Sequence, residues 1–309
     1  MPAYDRIREL LDGGGIVLLD GAMGSELVRR GVRWRGHGLR TDPEAVQALH
    51  AEYIAAGADV IRTNTFQLNP RIYLNVFRNA EHMSHIGAPG LATRARDLTG
   101  KAVEAARAAR DAGGRDVAIA GVMAPLEHCF RPDLAPEPEA AEREHREIAG
   151  WLADAGVDLL ILESMNTVAE TRAAAEAATA TGLLVWVSLV PGPEGELLSG
   201  EPLGEGVRAA EAAGAAVVLV NCAPPEDIPD ALERVRIGTD RPVGAFAHIG
   251  KFDPPSWKFE FHPQFSGTDA FPPDDYAEAA QGWVESGARV VGGCCGTTPA
   301  HIRALREAI

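Results

Sequence analysis

The sequence has little positive charge, no long apolar run and few cysteines, and each shortage excludes a class of protein. It has 29 Lys and Arg against 44 Asp and Glu, a net charge of −15 at pH 7. That sign is wrong for binding the phosphate backbone of nucleic acids. No stretch reaches the roughly 18 consecutive apolar residues of a membrane span, and the N-terminus lacks the apolar run of a signal peptide. We therefore expect a cytoplasmic protein that binds neither nucleic acid nor membrane.

Four cysteines in 309 residues are too few for a disulfide framework. In a reducing compartment, cysteines more often bind metals or take part in catalysis. The chain also lacks internal repeats, low-complexity tracts and Pro/Ser linkers, so we expect one domain over residues 1–309.

Eight short apolar runs recur along the chain. They are rich in Val, Ile and Leu and alternate poorly, which is typical of parallel strands buried on both faces. The predicted strands are 15–22, 58–65, 117–123, 157–164, 183–190, 216–222, 242–249 and 288–295.

Stretches with helical spacing separate these runs. They cover 43–56, 93–112, 136–155, 167–181, 203–213, 226–236, 273–286 and 299–309. Several end at a glycine that permits a left-handed cap, and Thr298-Pro299 predicts a helix start. Eight strand–helix units predict an α/β fold of the (β/α)8 TIM-barrel type in a single domain, with an open doubly wound sheet as the alternative.

Polar residues follow the predicted strands at the end where such barrels carry their active sites. In chain order the residues there are Asp20, Gly21, Asn64, Thr65, Met123, Glu163, Ser164, Ser188, Cys222, His248, Cys294 and Cys295, most of which are polar. So many polar residues at the ends of buried strands predict a functional site there.

Three of the cysteines, Cys222, Cys294 and Cys295, are among these residues. Zinc favours thiolates, and a catalytic zinc keeps one position open beside three protein ligands. Consecutive strand residues point to opposite faces, so Cys294 and Cys295 reach one ion only if the backbone turns, which neighbouring glycines permit. The set predicts a zinc site. Cysteines packed as small hydrophobic groups, or a vicinal disulfide, are the alternatives.

The other polar strand ends have less specific interpretations. A carboxylate such as Glu163 after a buried strand needs a cation or hydrogen-bond donors. A substrate ammonium would suit it, and a structural salt bridge is the alternative. Glycines after Asp20 would let loop amides approach a substrate carboxylate. Asn64 would bind a ligand or tie down its own loop.

Two loops and one pair of histidines carry weaker signals. Cys129, beside His128, is a candidate fourth ligand, although a loop thiol without a metal role is the simpler interpretation. His82 and His85 have metal-like spacing in a polar segment that favours solvated side chains. The aromatic-rich loop 251–273 predicts a lid, a subunit contact, packing over the barrel mouth, or a wall for a cationic methyl donor.

Five motifs make the chain similar to a known family. They are Leu-Leu-Asp-Gly-Ala-Met-Gly-Ser-Glu-Leu at 18–27, Thr-Asn-Thr-Phe-Gln at 63–67, Leu-Glu-Ser-Met-Asn-Thr-Val-Ala-Glu at 162–170, Val-Asn-Cys at 220–222 and Gly-Gly-Cys-Cys-Gly-Thr-Thr-Pro-Ala-His-Ile at 292–302. In this order they resemble the homocysteine S-methyltransferases. That group includes S-methylmethionine- and betaine-dependent enzymes and the homocysteine-binding module of cobalamin-dependent methionine synthase.

The resemblance implies a (β/α)8 barrel with Zn²⁺ held by Cys222, Cys294 and Cys295. It implies that the homocysteine thiol is the exchangeable zinc ligand and that Glu163 holds the amino group. The Asp20-Gly21 turn would contact the amino-acid end. The product of methyl transfer would be methionine.

Three segments depart from the family pattern. Arg62 stands where an acidic residue is frequent, and loops 121–130 and 249–257 also differ. We expect these segments to face the second substrate, so they leave the methyl donor open.

The chain ends at the eighth predicted helix. We therefore expect a stand-alone enzyme, monomeric or homodimeric, whose partners are homocysteine and a small donor such as S-methylmethionine or S-adenosylmethionine. The alternatives are another thiol, selenol or donor, or a homocysteine-binding subunit that needs a separate donor protein.

Overall fold

The computed structural model describes residues 3–34, 36–71, 91–253 and 264–309. Eight parallel strands form its main sheet: β1 (Val17–Leu18), β2 (Val60–Arg62), β3 (Ala118–Met123), β4 (Leu159–Met165), β5 (Val185–Leu189), β6 (Val217–Asn221), β7 (Val243–Phe246) and β10 (Val290–Val291). Two further strands, β8 (Lys251–Asp253) and β9 (Gln264–Ser266), pair antiparallel outside that sheet.

The main sheet closes on itself. Its strand order is β1-β10-β7-β6-β5-β4-β3-β2, and a parallel bridge between Leu19 and Val60 joins the two edges. Across this junction the amide of Asp59 donates to Leu18 O at 2.7 Å, and that of Asp20 donates to Val60 O at 3.0 Å. The predicted (β/α)8 barrel is confirmed, and the alternative open sheet is excluded.

Helices cover the outside of the barrel: α3 (Pro43–Ala56), α4 (Leu91–Gly113), α5 (Pro138–Ala155), α6 (Val168–Thr179), α7 (Leu203–Ala212), α8 (Ile228–Gly238), α9 (Pro273–Glu285) and α10 (Pro299–Ala308). Each corresponds to a predicted helix. Sequence reasoning missed two others, α1 (Ala3–Asp12) and α2 (Gly24–Arg29). Within the described ranges, none of the helices combines the length and apolar character needed to cross a membrane.

Local sequence signals set several helix ends. Gly57 ends α3 with φ of 113°, a left-handed conformation that a side chain would strain. At the start of α10, Thr298 and His301 form a capping box ahead of Pro299, and the Thr298 amide lies 3.2 Å from His301 Nδ1. These caps satisfy backbone groups that the helices leave unpaired.

The core has two layers. Strand side chains that point inward fill the barrel, and those that point outward pack against the helices. Tyr4, Ile7 and Leu11, spaced along one face of α1, join the inner layer at the N-terminal end of the strands. Each large side chain buried this way contributes about 1.5–3 kcal/mol. The N-terminal end is thereby filled, and the cavity lies at the other end.

Candidate functional site

Three cysteine sulfurs meet at the C-terminal end of the barrel. The Sγ atoms of Cys222, Cys294 and Cys295 all lie within 4.8 Å of one another, and those of Cys222 and Cys294 are 2.9 Å apart. All three are free thiols, so this structure contains no vicinal disulfide between Cys294 and Cys295. Zinc–sulfur bonds measure about 2.3 Å, so thiols this close together fit a single ion.

A turn after β10 brings both adjacent cysteines to the same side. The strand ends at Val291 instead of continuing to residue 295, and the amide of Thr297 donates to Cys294 O at 3.1 Å. A Cβ on Gly293 would lie 2.2 Å from Thr297 Oγ1. Gly296 has φ of 84°, where an added Cβ would lie 2.7 Å from Ile249 O. Only glycine fits these two positions, so the turn depends on them.

Cys222 is itself in a strained conformation. Its φ is 54° and that of Ser164 is 60°, in the left-handed region that residues with side chains avoid at a cost of about 1–3 kcal/mol each. The side chain of Asn221 forms hydrogen bonds with residues at the ends of the two strands before β6. Its Oδ1 accepts from the Ser164 amide at 3.1 Å and from Ser188 Oγ at 2.7 Å. Its Nδ2 donates to Ser164 Oγ at 2.8 Å and lies 3.8 Å from Cys294 Sγ.

Sequence reasoning did not single out Asn221. The signal was an amide at the end of an otherwise apolar strand, Val-Val-Leu-Val-Asn. A fully buried amide must find hydrogen-bond partners, and here those partners hold the ends of three neighbouring strands.

Charge and hydrogen bonding distinguish Cys294 from the fourth cysteine. Hydrogen bonds from the Cys222 and Cys295 thiols, together with the positive charge of Arg62, lower the pKa of Cys294. Cys129 is outside the cluster, and burial raises the pKa of its thiol to about 12. Its carbonyl accepts a 2.6 Å hydrogen bond from Asn166 Nδ2. A thiol without a metal role is the interpretation that this arrangement supports.

Arg62, at the end of β2, links several loops around the cavity. Its Nε donates to Asp20 Oδ1 at 2.6 Å and its Nη1 to Glu163 Oε1 at 2.7 Å. Its Nη2 lies 2.9 Å from Asp20 O, 3.0 Å from Gly21 O and 2.7 Å from Gly293 O. The guanidinium also stacks 4.8 Å from the Phe246 ring centroid. Arg62 thus contacts Asp20, Gly21 and Glu163, the residues predicted for the amino-acid end.

The two carboxylates that Arg62 contacts have different surroundings. Asp20 is fully buried, and its Oδ2 accepts from the Arg62 amide at 2.9 Å, so both of its oxygens bind Arg62. Glu163 lines the cavity, and its Oε2 accepts no hydrogen bond from the described residues. Burial raises the pKa of Glu163 to about 7, although the charge of Arg62 opposes that rise. Glu163 is therefore the carboxylate that a ligand can reach.

Asn64 and Gly21 also line the cavity. Asn64 Nδ2 donates to His37 O at 2.7 Å, while its buried Oδ1 has no partner within the described ranges. Asn64 thus ties down its loop with one atom and leaves the other for a ligand. The neighbouring Thr63 and Thr65 hydroxyls bond each other at 2.8 Å. Thr65 Oγ1 also donates to Val122 O at 2.8 Å, which is a structural role.

The cavity lies between the thiols, the Arg62 cluster and an apolar wall. Met23, Trp34 and Phe66 form part of that wall, and the volume including the open mouth is about 520 Å³. His37 connects the two loops that carry the aromatic rings, since its ring packs 4.4 Å from Trp34 and its Nε2 lies 2.7 Å from Phe66 O.

Several of the weaker sequence predictions concern residues outside this cavity. His82 and His85 lie outside the described residues, as do Trp257 and the rest of 254–263 in the aromatic-rich loop. Of that loop, Phe265 packs against His248 with ring centroids 4.9 Å apart.

Comparison with known proteins identifies the family. The model of the homocysteine S-methyltransferase family matches residues 17–309. The chain is 31% identical to the homocysteine S-methyltransferase of Escherichia coli (strain K12), covering 99% of both chains. It is 27% identical to the selenocysteine methyltransferase of Astragalus bisulcatus, covering 96% of this chain and 93% of the relative. The crystal structure of the E. coli homocysteine methyltransferase MmuM in its metallated form matches with a TM-score of 0.77 at 29% identity, covering 98% of this chain and 99% of that one. The chain therefore belongs to the homocysteine S-methyltransferase family.

Proposed function

We propose that this protein is a zinc-dependent methyltransferase that moves a methyl group to the thiol of L-homocysteine and so forms methionine. The convergence of Cys222, Cys294 and Cys295 in a cavity that also contains Glu163 carries the proposal. A relative with 29% identity has a crystal structure in a metallated form, which supports a metal in this protein.

The donor set suits zinc and a thiol substrate. Three thiolates and one Zn²⁺ ion have a net charge of −1 and leave the fourth tetrahedral position open. Zinc bound there would deprotonate the homocysteine thiol and hold it as a nucleophile at neutral pH. The turn at Gly293–Gly296 and the Asn221 hydrogen bonds hold the cysteine sulfurs in place for this purpose.

The rest of the cavity would bind the amino acid and the donor. Glu163 Oε2 is available to accept hydrogen bonds from the homocysteine ammonium. Gly21 and Asn64 lie in the same wall and would contact the amino-acid end. Trp34 and Phe66 would pack against a sulfonium such as S-methylmethionine or S-adenosylmethionine, since aromatic faces attract cations. Positioning the methyl group in line with the thiolate and excluding water are the main contributions of such a site.

Metal analysis and donor assays test this proposal. Protein purified without chelator should contain about one zinc per chain, as expected for a three-cysteine site. It should form methionine from homocysteine with one of the two sulfonium donors. Zinc-free protein that is fully active would contradict the proposal. Activity that requires an added protein would favour a homocysteine-binding subunit.

A selenol acceptor is the second candidate, because one full-length relative is a selenocysteine methyltransferase. Selenolates bind zinc and attack sulfonium methyl groups by the same chemistry. Competition between homocysteine and selenocysteine for limiting donor distinguishes the two. A higher kcat/KM for selenocysteine than for homocysteine would mean that selenocysteine is the acceptor.

A further inference from the structure

A single buried guanidinium connects the proposed ammonium anchor to the turn that carries two of the thiols. Arg62 Nη1 bonds Glu163 Oε1 at 2.7 Å. On its other side, Nη2 lies 2.7 Å from the carbonyl of Gly293, the residue before Cys294. The side chain of Arg62 is only 7% exposed, so water competes poorly for these contacts. The spacing between Glu163 and the thiol cluster therefore depends on Arg62.

Arg62 also fixes the orientation of the Glu163 carboxylate. Because Oε1 is occupied by the guanidinium, Oε2 is the oxygen left for a ligand. A guanidinium is planar and rigid, so its hydrogen bonds define a direction as well as a distance. Asp20 holds Arg62 in turn, through Oδ1 to Nε at 2.6 Å and Oδ2 to the backbone amide at 2.9 Å. The order of support runs from Asp20 through Arg62 to Glu163.

The charges of this group define what the pocket accepts. Asp20 and Glu163 carry two negative charges when ionised, and Arg62 carries one positive charge. The remaining charge of −1 matches one ammonium group. An acceptor without that ammonium would leave Glu163 Oε2 desolvated and without a hydrogen-bond donor, which is unfavourable in a buried site.

We propose that Arg62 is a positioning residue that selects the acceptor: it holds Glu163 so that the pocket takes thiols bearing an amino group at the spacing of homocysteine. This inference rests on the proposed function. It assigns a role to the residue that departs from the family pattern.

Acceptor binding to zinc-loaded protein tests the inference without requiring turnover. Isothermal titration compares L-homocysteine with 4-mercaptobutanoate, which has the same carbon chain and no amino group. The wild type should prefer homocysteine. Arg62→Gln should reduce the ratio of the two affinities about tenfold or more, equivalent to ~1.4 kcal/mol, when it is compared with the wild type at equal zinc content. Arg62→Lys should show a smaller reduction, because it keeps the charge and loses the planar contacts.

Glu163 provides an internal check on how Arg62 acts. Glu163→Gln should remove the same preference, and adding Arg62→Gln to it should reduce the ratio no further, since Arg62 acts through Glu163. Independent, additive losses in the double variant would contradict this order of action.

The matched control is Arg306 at the opposite end of the barrel. Its Nε and Nη2 bond Gly57 O at 3.0 and 2.7 Å, and its guanidinium pairs with Asp59. Arg306→Gln therefore removes a comparable set of contacts far from the cavity. It should leave the affinity ratio unchanged.

Several outcomes overturn the inference. They are an unchanged ratio in both Arg62 variants, an equal weakening of both acceptors, or failure of both variants to fold, which would make Arg62 purely structural. A wild type without preference for homocysteine would overturn the role of Glu163 as well. Intact acceptor preference without methyl transfer to any donor would count against the proposed function alone.

Discussion

The two ends of the barrel contain the same kind of buried ion pair in different surroundings. At the N-terminal end, Asp59 accepts from the Leu18 amide at 3.0 Å and contacts Arg6, Arg115 and Arg306, whose side chains are 37–40% exposed. At the C-terminal end, Asp20 is completely buried and its arginine partner, Arg62, is only 7% exposed. One carboxylate has three solvated partners, and the other has a single buried partner.

This difference separates a structural cluster from a functional one. Helix α1 fills the barrel beside Asp59. Because three arginines contact Asp59, the loss of one leaves two that still balance its charge. At the mouth of the barrel, Arg62 alone pairs with two carboxylates. In the cavity beside it, Glu163 Oε2 and Asn64 Oδ1 lack partners within the described part of the chain. Groups left incomplete next to a cavity are available to a ligand. The predictions below test this contrast, from the largest expected effect to the smallest.

Loss of a clustered thiol should have the largest effect. Cys294→Ser leaves two thiols and a weaker oxygen ligand, so zinc content after dialysis and methyl transfer should both fall to background. Cys129→Ser is the matched control, because Cys129 is buried but outside the cluster. Metal analysis and methionine formation measure both. Equal zinc retention in the two variants would contradict the three-cysteine site.

Removal of Arg62 should destabilise the fold far more than removal of Arg306. Arg62→Met leaves the buried carboxylate of Asp20 without a counter-charge, which costs about 3–5 kcal/mol. Arg306→Met loses one of three exposed partners of Asp59, at a cost of at most about 1 kcal/mol. Urea denaturation of the zinc-free proteins measures the free energy of unfolding. Adding Asp20→Asn should recover part of the loss in Arg62→Met, and equal losses in the two single variants would remove the contrast.

Substitution of Glu163 should affect acceptor use and its pH dependence. A hydrogen bond to a charged group contributes about 1.5–3 kcal/mol, so Glu163→Gln should lower kcat/KM for homocysteine by about tenfold or more. Burial raises the pKa of Glu163 to about 7, and only the ionised form pairs with an ammonium. In the wild type, kcat/KM should therefore rise as the pH increases through about 7.

Initial rates at subsaturating homocysteine across this pH range give that profile. In Glu163→Gln the rise should disappear. If the variant retains the same inflection, another group causes it.

The smallest of these effects should come from Asn221. Asn221→Ala removes the hydrogen bonds that hold Ser164 and the ends of neighbouring strands, without removing a metal ligand. Loss of such supporting contacts lowers metal affinity about tenfold to a hundredfold, and we expect the lower end. Competition with a zinc chelator measures it. A loss as large as that in Cys294→Ser would mean that Asn221 holds the cysteines in place by itself.

Sequence patterns identified the barrel because the patterns that mark its strands and its helices each lie within a short stretch of the chain. Poorly alternating Val, Ile and Leu runs mark strands buried on two faces, and the intervening helices have caps such as Gly57 and Thr298. The short α1 and α2 were missed. The strand limits were also too long, as at 288–295, because the turn at the cysteines ends β10 at Val291.

For the site, the sequence by itself determined which chemical groups stand at the strand ends: the thiols of Cys222, Cys294 and Cys295 and the carboxylates of Asp20 and Glu163. Each strand can be recognised from its own stretch of sequence. Because all the strands are parallel, their C-terminal residues lie on one side of the barrel. Tertiary structure alone decided that Arg62 joins Asp20 to Glu163 and that Asn221 reaches Ser164 and Ser188. Those contacts span 33 to 101 residues, and whether a long side chain bridges two strands depends on burial and rotamer. No spacing rule in the sequence specifies the burial or the rotamer of such a side chain.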